Sequence, residues 1–96
     1  SGVKVLICRF PDEDLSYSMK LASRLRAEGI STEVYLNSSK LRGQLGYAED
    51  RNIPIAVIAG ANELKEGNVV IKDMTKREQF TTPDAEITAK IKELLG

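Results

Sequence analysis

Between Ile53 and Gly60 the chain reads IPIAVIAG, and no position in that run carries a polar side chain. Successive side chains of a strand point to opposite faces of its sheet, so a strand with one wet face alternates apolar and polar residues. A run without alternation has both faces covered, which makes this segment a central strand with Pro54 confined to its start. Val3 to Phe10, VKVLICRF, is a second apolar and β-branched run, ended by Pro11 and the acids Asp12, Glu13 and Asp14. Both strands have to be flanked by helices.

The intervening segments supply them. The acids open a helix on which Leu15, Met19, Ala22 and Leu25 form one apolar face, Lys20, Arg24 and Arg26 complement the dipole at its far end, and Gly29 is the C-terminal cap. Ser31 to Leu36 reads as a strand. Asn37, Ser38 and Ser39 are N-cap candidates for a second helix with Leu41, Leu45 and Ala48 on one face. Gly43 and Gly46 weaken that helix by about 1 kcal/mol each, which suggests close packing or close approach of something else. After a loop bracketed by Gly60 and Gly67, NVVIKD and REQFTT read as strands. The last helix has Thr82 as cap, Pro83 at its first position, and Ile87, Ile91, Leu94 and Leu95 as its buried stripe. The order β-α-β-α-β-β-β-α gives three parallel strands with right-handed crossovers and a short antiparallel return.

With 96 residues the chain suits one domain, residues 3–96, and the opening Ser1-Gly2 reads as an expression remnant. No apolar run nears the roughly 18 residues of a membrane span, so a soluble, cytoplasmic protein is expected. Fourteen basic residues balance fourteen acidic ones. Such a chain has no overall field to hold a polyanion, and any nucleic-acid contact has to be local. There is no histidine, and Cys8 is the one cysteine, which removes the commonest general base, thiolate clusters and internal disulfides. Cys8 lies inside an apolar strand and is expected to be inert.

Acids after a first strand suit a phosphorylation receiver, but the third strand ends IAG where the phosphorylated aspartate belongs. No glycine-rich phosphate loop follows any strand, which also weighs against a flavodoxin-like nucleotide binder. The polar residues that remain, Ser38, Lys40, Gln44, Asn62, Glu63 and Lys72, follow the second and third strands, and open α/β sheets bind ligands at the carboxyl ends of parallel strands. A plainer reading stands beside that one: Ser38 as a cap, Lys40 and Arg42 as solvated charges, Glu63 and Lys72 as a surface ion pair worth under about 1 kcal/mol.

The stretches LASRLRAEGISTEVYL, KLRGQLGYAEDRNIPIAVIAGANELKEGNVVIKDM and TKREQ resemble the anticodon-binding domain of class II aminoacyl-tRNA synthetases, the histidyl type most closely. The resemblance covers nearly the whole chain; its most specific parts are the apolar strand running into G..EL..G.V..K and the closing REQ. It implies a three-layer α/β/α fold with a mixed five-stranded sheet of order 2-1-3-4-5, strand 4 antiparallel. It implies a tRNA partner with a histidine-type anticodon, no cofactor or metal in this domain, and a separate catalytic core that holds ATP and histidine, in a parent that forms a homodimer. Glu63, Lys72 and Ser38 match positions that contact anticodon bases in the threonyl relatives, although Lys72 lacks the two-pronged donor of the arginine found there. Lys40, Gln44 and Asn62 join them as candidates, and Tyr17, Tyr35 and Tyr47 are the polar aromatics available for stacking. The same fold also serves regulatory proteins for dimerisation or unspecific RNA contact.

Overall fold

The two apolar runs form adjacent parallel strands in which every residue is buried. A computed structural model describes residues 2–10, 15–37 and 39–96. Its elements are β1 (Val5–Cys8), α1 (Ser16–Ala27), β2 (Thr32–Val34), α2 (Leu41–Asp50), β3 (Ile55–Ile58), α3 (Ala61–Lys65), β4 (Asn68–Asp73), β5 (Glu78–Pro83) and α4 (Ile87–Leu95), the last entered through a 3-10 turn at Asp84–Glu86. The sheet has the order β2-β1-β3-β4-β5, with β1 to β3 parallel and β4 antiparallel to both its neighbours. The expected three-layer arrangement and strand order are present.

Strand alternation divides the core in two. Val5, Ile7, Val57, Val69 and Ile71 face α1 and α4, meeting Leu21, Leu25, Ile87 and Ile91. Leu6, Cys8, Ala56 and Ile58 face α2, meeting Ala48, Leu41 and Leu45. Met19, expected on the buried stripe of α1, is 46% exposed; the buried positions are Ser18, Leu21, Ala22 and Leu25. A serine at the i position of an i, i+3, i+4, i+7 stripe hid its true phase.

The first three helices all stop at a residue with positive φ: Gly29 at 78°, Asn52 at 57° and Gly67 at 79°. After α1, Gly29 N–H donates to Arg26 O and Ile30 N–H to Leu25 O, the paired bonds of a Schellman cap. Asn52 and Ile53 repeat this after α2, donating to Glu49 O and Ala48 O. Each cap reverses the chain directly into the next strand.

The N-termini differ from expectation. Lys40, in extended conformation, is the N-cap of α2 and makes no side-chain cap bond. The stretch Gly60 to Gly67 is not a plain loop but holds α3. Thr82 does not cap α4; its hydroxyl donates to Phe80 O, and Pro83 closes β5 rather than opening the helix. Asp84 anchors the 3-10 turn instead, its carboxylate accepting from Tyr17 OH at 2.6 Å and from the Arg24 guanidinium at 2.9 Å. The acids Asp12, Glu13 and Asp14, expected to open the first helix, lie outside the described residues, and α1 begins at Ser16.

Two predictions follow from this wiring. Gly46 is helical, and a Cβ built on it meets nothing within 4 Å, whereas Gly29 requires positive φ. Gly46→Ala should raise unfolding stability by about 0.5 to 1 kcal/mol and Gly29→Ala should lower it by about 1, both read by urea denaturation. The Tyr17 hydroxyl, then the Arg24 guanidinium, holds the Asp84 carboxyl below its ordinary value of about 3.9. A depressed carboxyl stabilises the fold above its unfolded pKa and ceases to as pH falls through the folded one. The stability gap between wild type and Asp84→Asn should therefore be full at pH 7 and close below about pH 4.

Candidate nucleic-acid interface

At the carboxyl end of β3 the chain must turn at once into α3, and Gly60 provides the room. A Cβ on Gly60 would stand 2.9 Å from Glu63 Oε1, so the Glu63 carboxylate folds back over the glycine. The backbone there is ordinary, φ −79° and ψ 160°, so the glycine is required for space and not for conformation. Glu63 is half-buried, and Asn62 beside it is exposed. Among the described residues Glu63 enters no ion pair, and neither does Lys72, so the surface ion pair between them is not formed.

Gln44 is a structural clamp. Its side chain is 1% exposed, its Oε1 accepts from Arg9 N–H at 2.9 Å, and its Nε2 donates to Arg9 O and to Ser39 O. With all of these partners inside the fold, the amide has nothing left to offer a base, and Gln44 leaves the set of candidate contacts. It joins the end of β1 to the start of α2, where Arg9 in turn donates to Tyr35 O and Leu36 O at the end of β2. Gly43 belongs to the same corner: a Cβ there would lie 2.3 Å from Ser39 Oγ. Lys40 is exposed on the rim of this corner, and Ser38 lies outside the described residues.

Lys72 sits elsewhere than expected. Because β4 runs antiparallel, Val70 pairs with Ile58 and Lys72 with Ala56, near the beginning of β3. Four residues separate Ala56 from Gly60, which places Lys72 about 13 Å down the sheet from the Glu63 corner. Lys72 shares the α2 face of the sheet with Val70, which packs in the second core cluster.

The tyrosines are occupied by the fold. Tyr17 OH binds Asp84; Tyr47 OH binds Glu33 while its ring meets Tyr35 edge-on at 5.4 Å and carries the Arg51 guanidinium at 4.4 Å. Burial pushes the Cys8 thiol up to about 12, which keeps it protonated and inert.

The sheet of order 2-1-3-4-5 is a three-layer α/β/α module with exposed polar groups at the ends of β2 and β3, a fold that many functions share. A family model described as "Anticodon binding domain" matches residues 3–94, and the chain belongs to that family. Histidine–tRNA ligases are among its relatives. That of Phocaeicola vulgatus is 38% identical over 93 residues, covering 96% of this chain and 20% of the relative. That of Wolinella succinogenes is 38% identical over 96 residues, covering 100% and 21%. The crystal structure of histidyl-tRNA synthetase from Nostoc sp. PCC 7120 superposes with a TM-score of 0.96 at 25% identity, covering 100% of this chain and 23% of that one. The resemblance carried by G..EL..G.V..K and REQ is upheld, and the chain spans about a fifth of the length of the relatives it matches.

The clamp is directly testable. Gln44→Glu keeps the acceptor for Arg9 N–H but removes the donor to Arg9 O and Ser39 O and places a carboxylate against them. It should lower stability by about 2 kcal/mol or more in chemical denaturation.

Proposed function

We propose that the chain is the anticodon-reading domain of a histidine–tRNA ligase, supplying recognition and no chemistry of its own. Within the shown family, the observation that carries this is the Glu63 carboxylate, held over Gly60 at the carboxyl edge of the sheet with no cation of the described residues to neutralise it. A carboxylate in that state accepts the imino and amino hydrogens on the Watson–Crick edge of a splayed guanine, or the imino hydrogen of uracil. Asn62 and Lys40, both exposed, stand on the same edge of the molecule and supply further polar groups for a looped-out base or its sugar. A few directed groups suffice, which is why a neutral domain can do this work.

On this reading the catalytic core belongs to the rest of a longer, cytoplasmic protein. There it binds ATP and histidine and forms the homodimer.

Glu63→Gln preserves shape and replaces one acceptor by a donor. It should reduce discrimination between histidine-type and altered anticodon stem-loops by about 1 to 3 kcal/mol per lost base contact, measured by competition binding at low salt. The unfolding midpoint should stay in place. Intact discrimination together with a lowered midpoint would show that Glu63 serves only to start α3.

A further inference from the structure

The two borders of the sheet are finished differently. At one border β2 is three residues long, and because Tyr35 N–H donates to Ile7 O, the backbone groups of Thr32 and Val34 are those that point away from β1. The Thr32 carbonyl is already taken there: the Arg26 guanidinium donates to it from Nε at 3.2 Å and from Nη2 at 2.8 Å. At the other border β5 is six residues long, with no strand beyond it among the described residues. Asp84 N–H donates to Gly67 O at 2.9 Å, which continues the β4–β5 register one step past Asn68 and Pro83 and fixes its phase. Val69 with Thr82, Ile71 with Phe80 and Asp73 with Glu78 are therefore the pairs that exchange hydrogen bonds, and the N–H and C=O groups of Gln79 and Thr81 point outward. Such an edge is a template for another strand.

The surface beside this edge carries both apolar area and charges of both signs. The helix α4 lies over β4 and β5, and between it and β5 runs an open cleft with Phe80, Ala89, Lys90 and Glu93 in its lining. Phe80 is half-buried on that face of the sheet. Lys90 Nζ stands 3.9 Å from the centroid of its ring and pairs with Glu93 at 3.4 Å.

We infer that β5 pairs with the β5 of a second copy of this chain, antiparallel and about a two-fold axis at Phe80, so that the five-stranded sheets of the two copies run on into one. With Gln79 of one copy opposite Thr81 of the other, all the outward groups of both residues are satisfied within the strands. An axis at Thr81 would set Gln79 against Pro83, which has no N–H to give, and an axis at Gln79 would bring in Arg77, whose φ of 58° is not that of a strand. Phe80 then meets its own counterpart in a non-hydrogen-bonded pair, where facing side chains stand closest. Strands about 4.8 Å apart bring the two α4 helices to about 10 Å from each other, a packing distance for helices. Lys90, seated on Phe80, reaches the axis together with its Glu93, so ammonium and carboxylate groups of the two copies alternate there. An unrelated strand would satisfy the same backbone groups but would need its own match to the Phe80 ring and to both signs of charge; a second copy carries that match by symmetry. The pairing uses none of Glu63, Asn62 and Lys40, and it is independent of what those residues bind.

One strand and one helix side per copy make a small interface beside the roughly 800 Å² per partner of a standard one, so association is expected between about 10 µM and 1 mM. Sedimentation of this chain over that range should show a shift from one chain to two. Amide hydrogen exchange at Gln79 and Thr81 should slow over the same range, while that at Val34 on the other border should not. Thr81→Pro removes an outward N–H and no bond to β4, so it should abolish the dimer and keep the fold. Lys90→Glu, on the surface of α4, should also abolish it by gathering only acids at the axis, and Lys90→Glu combined with Glu93→Lys should restore it. A chain that stays single at every concentration overturns the pairing and leaves the edge to an extended segment of another protein. A dimer that survives Lys90→Glu or a folded Thr81→Pro, or that the double exchange fails to restore, overturns it as well, because association then uses another surface.

Discussion

Everything in this fold depends on burying both faces of β1 and β3. Each strand is four residues long and neither exposes a side chain, so a helix has to cross on each side. The right-handed connections from β1 to β2 and from β2 to β3 satisfy this because the first places α1 on one face and the second places α2 on the other. Once the two central strands are sealed, their carboxyl ends become the one rim where loops, helix starts and exposed polar groups gather. The candidate site is where it is because the core is what it is.

The same constraint explains which parts of the molecule were legible beforehand. IPIAVIAG and VKVLICRF announce their burial through the lack of alternation, Gly29 marks the end of α1 through conformation, and the Ile87/Ile91 stripe marks α4 through period. Gln44 gives no such sign. A glutamine on a helix reads as surface, and its role depends on Arg9, which is 35 residues away in sequence. The position of Lys72 along the sheet is hidden for a related reason: it follows from the antiparallel register of β4 on β3, a pairing of Ala56 with Lys72 that no local pattern encodes. Glu63 stands out in the sequence only through the glycines that bracket its segment, and its relation to Gly60 depends on α3, too short to show a period.

Charge illustrates the difference between composition and arrangement. Fourteen positive and fourteen negative side chains exclude a broad electrostatic footprint, and this holds for the molecule as a whole. Within it, the acids Glu28, Asp84 and Glu93 stand among the cations of the α1 and α4 layer, leaving those near β4 and the start of α2 without partners. Lys20 and Arg26 of α1 likewise enter no ion pair among the described residues, so unpaired cations stand on both layers.

Weak binding is not a defect in a module of this kind. On the proposed function, directed contacts at one corner of a 96-residue domain would discriminate among bases by differences of a few kcal/mol, and such differences are the same whether the total affinity is high or low. When a recognition module is joined to a second RNA-binding unit, its own encounter becomes intramolecular, and an effective concentration in the millimolar range turns a modest intrinsic affinity into stable engagement. Strong phosphate binding by the module alone would add the same amount to every RNA and leave such differences unchanged, so discrimination does not require it. The zero net charge and the satisfied Gln44 clamp can be read in those terms. On the proposed function, the fold ties its polar corner down through Gln44 and leaves discrimination between RNAs to contacts with the bases.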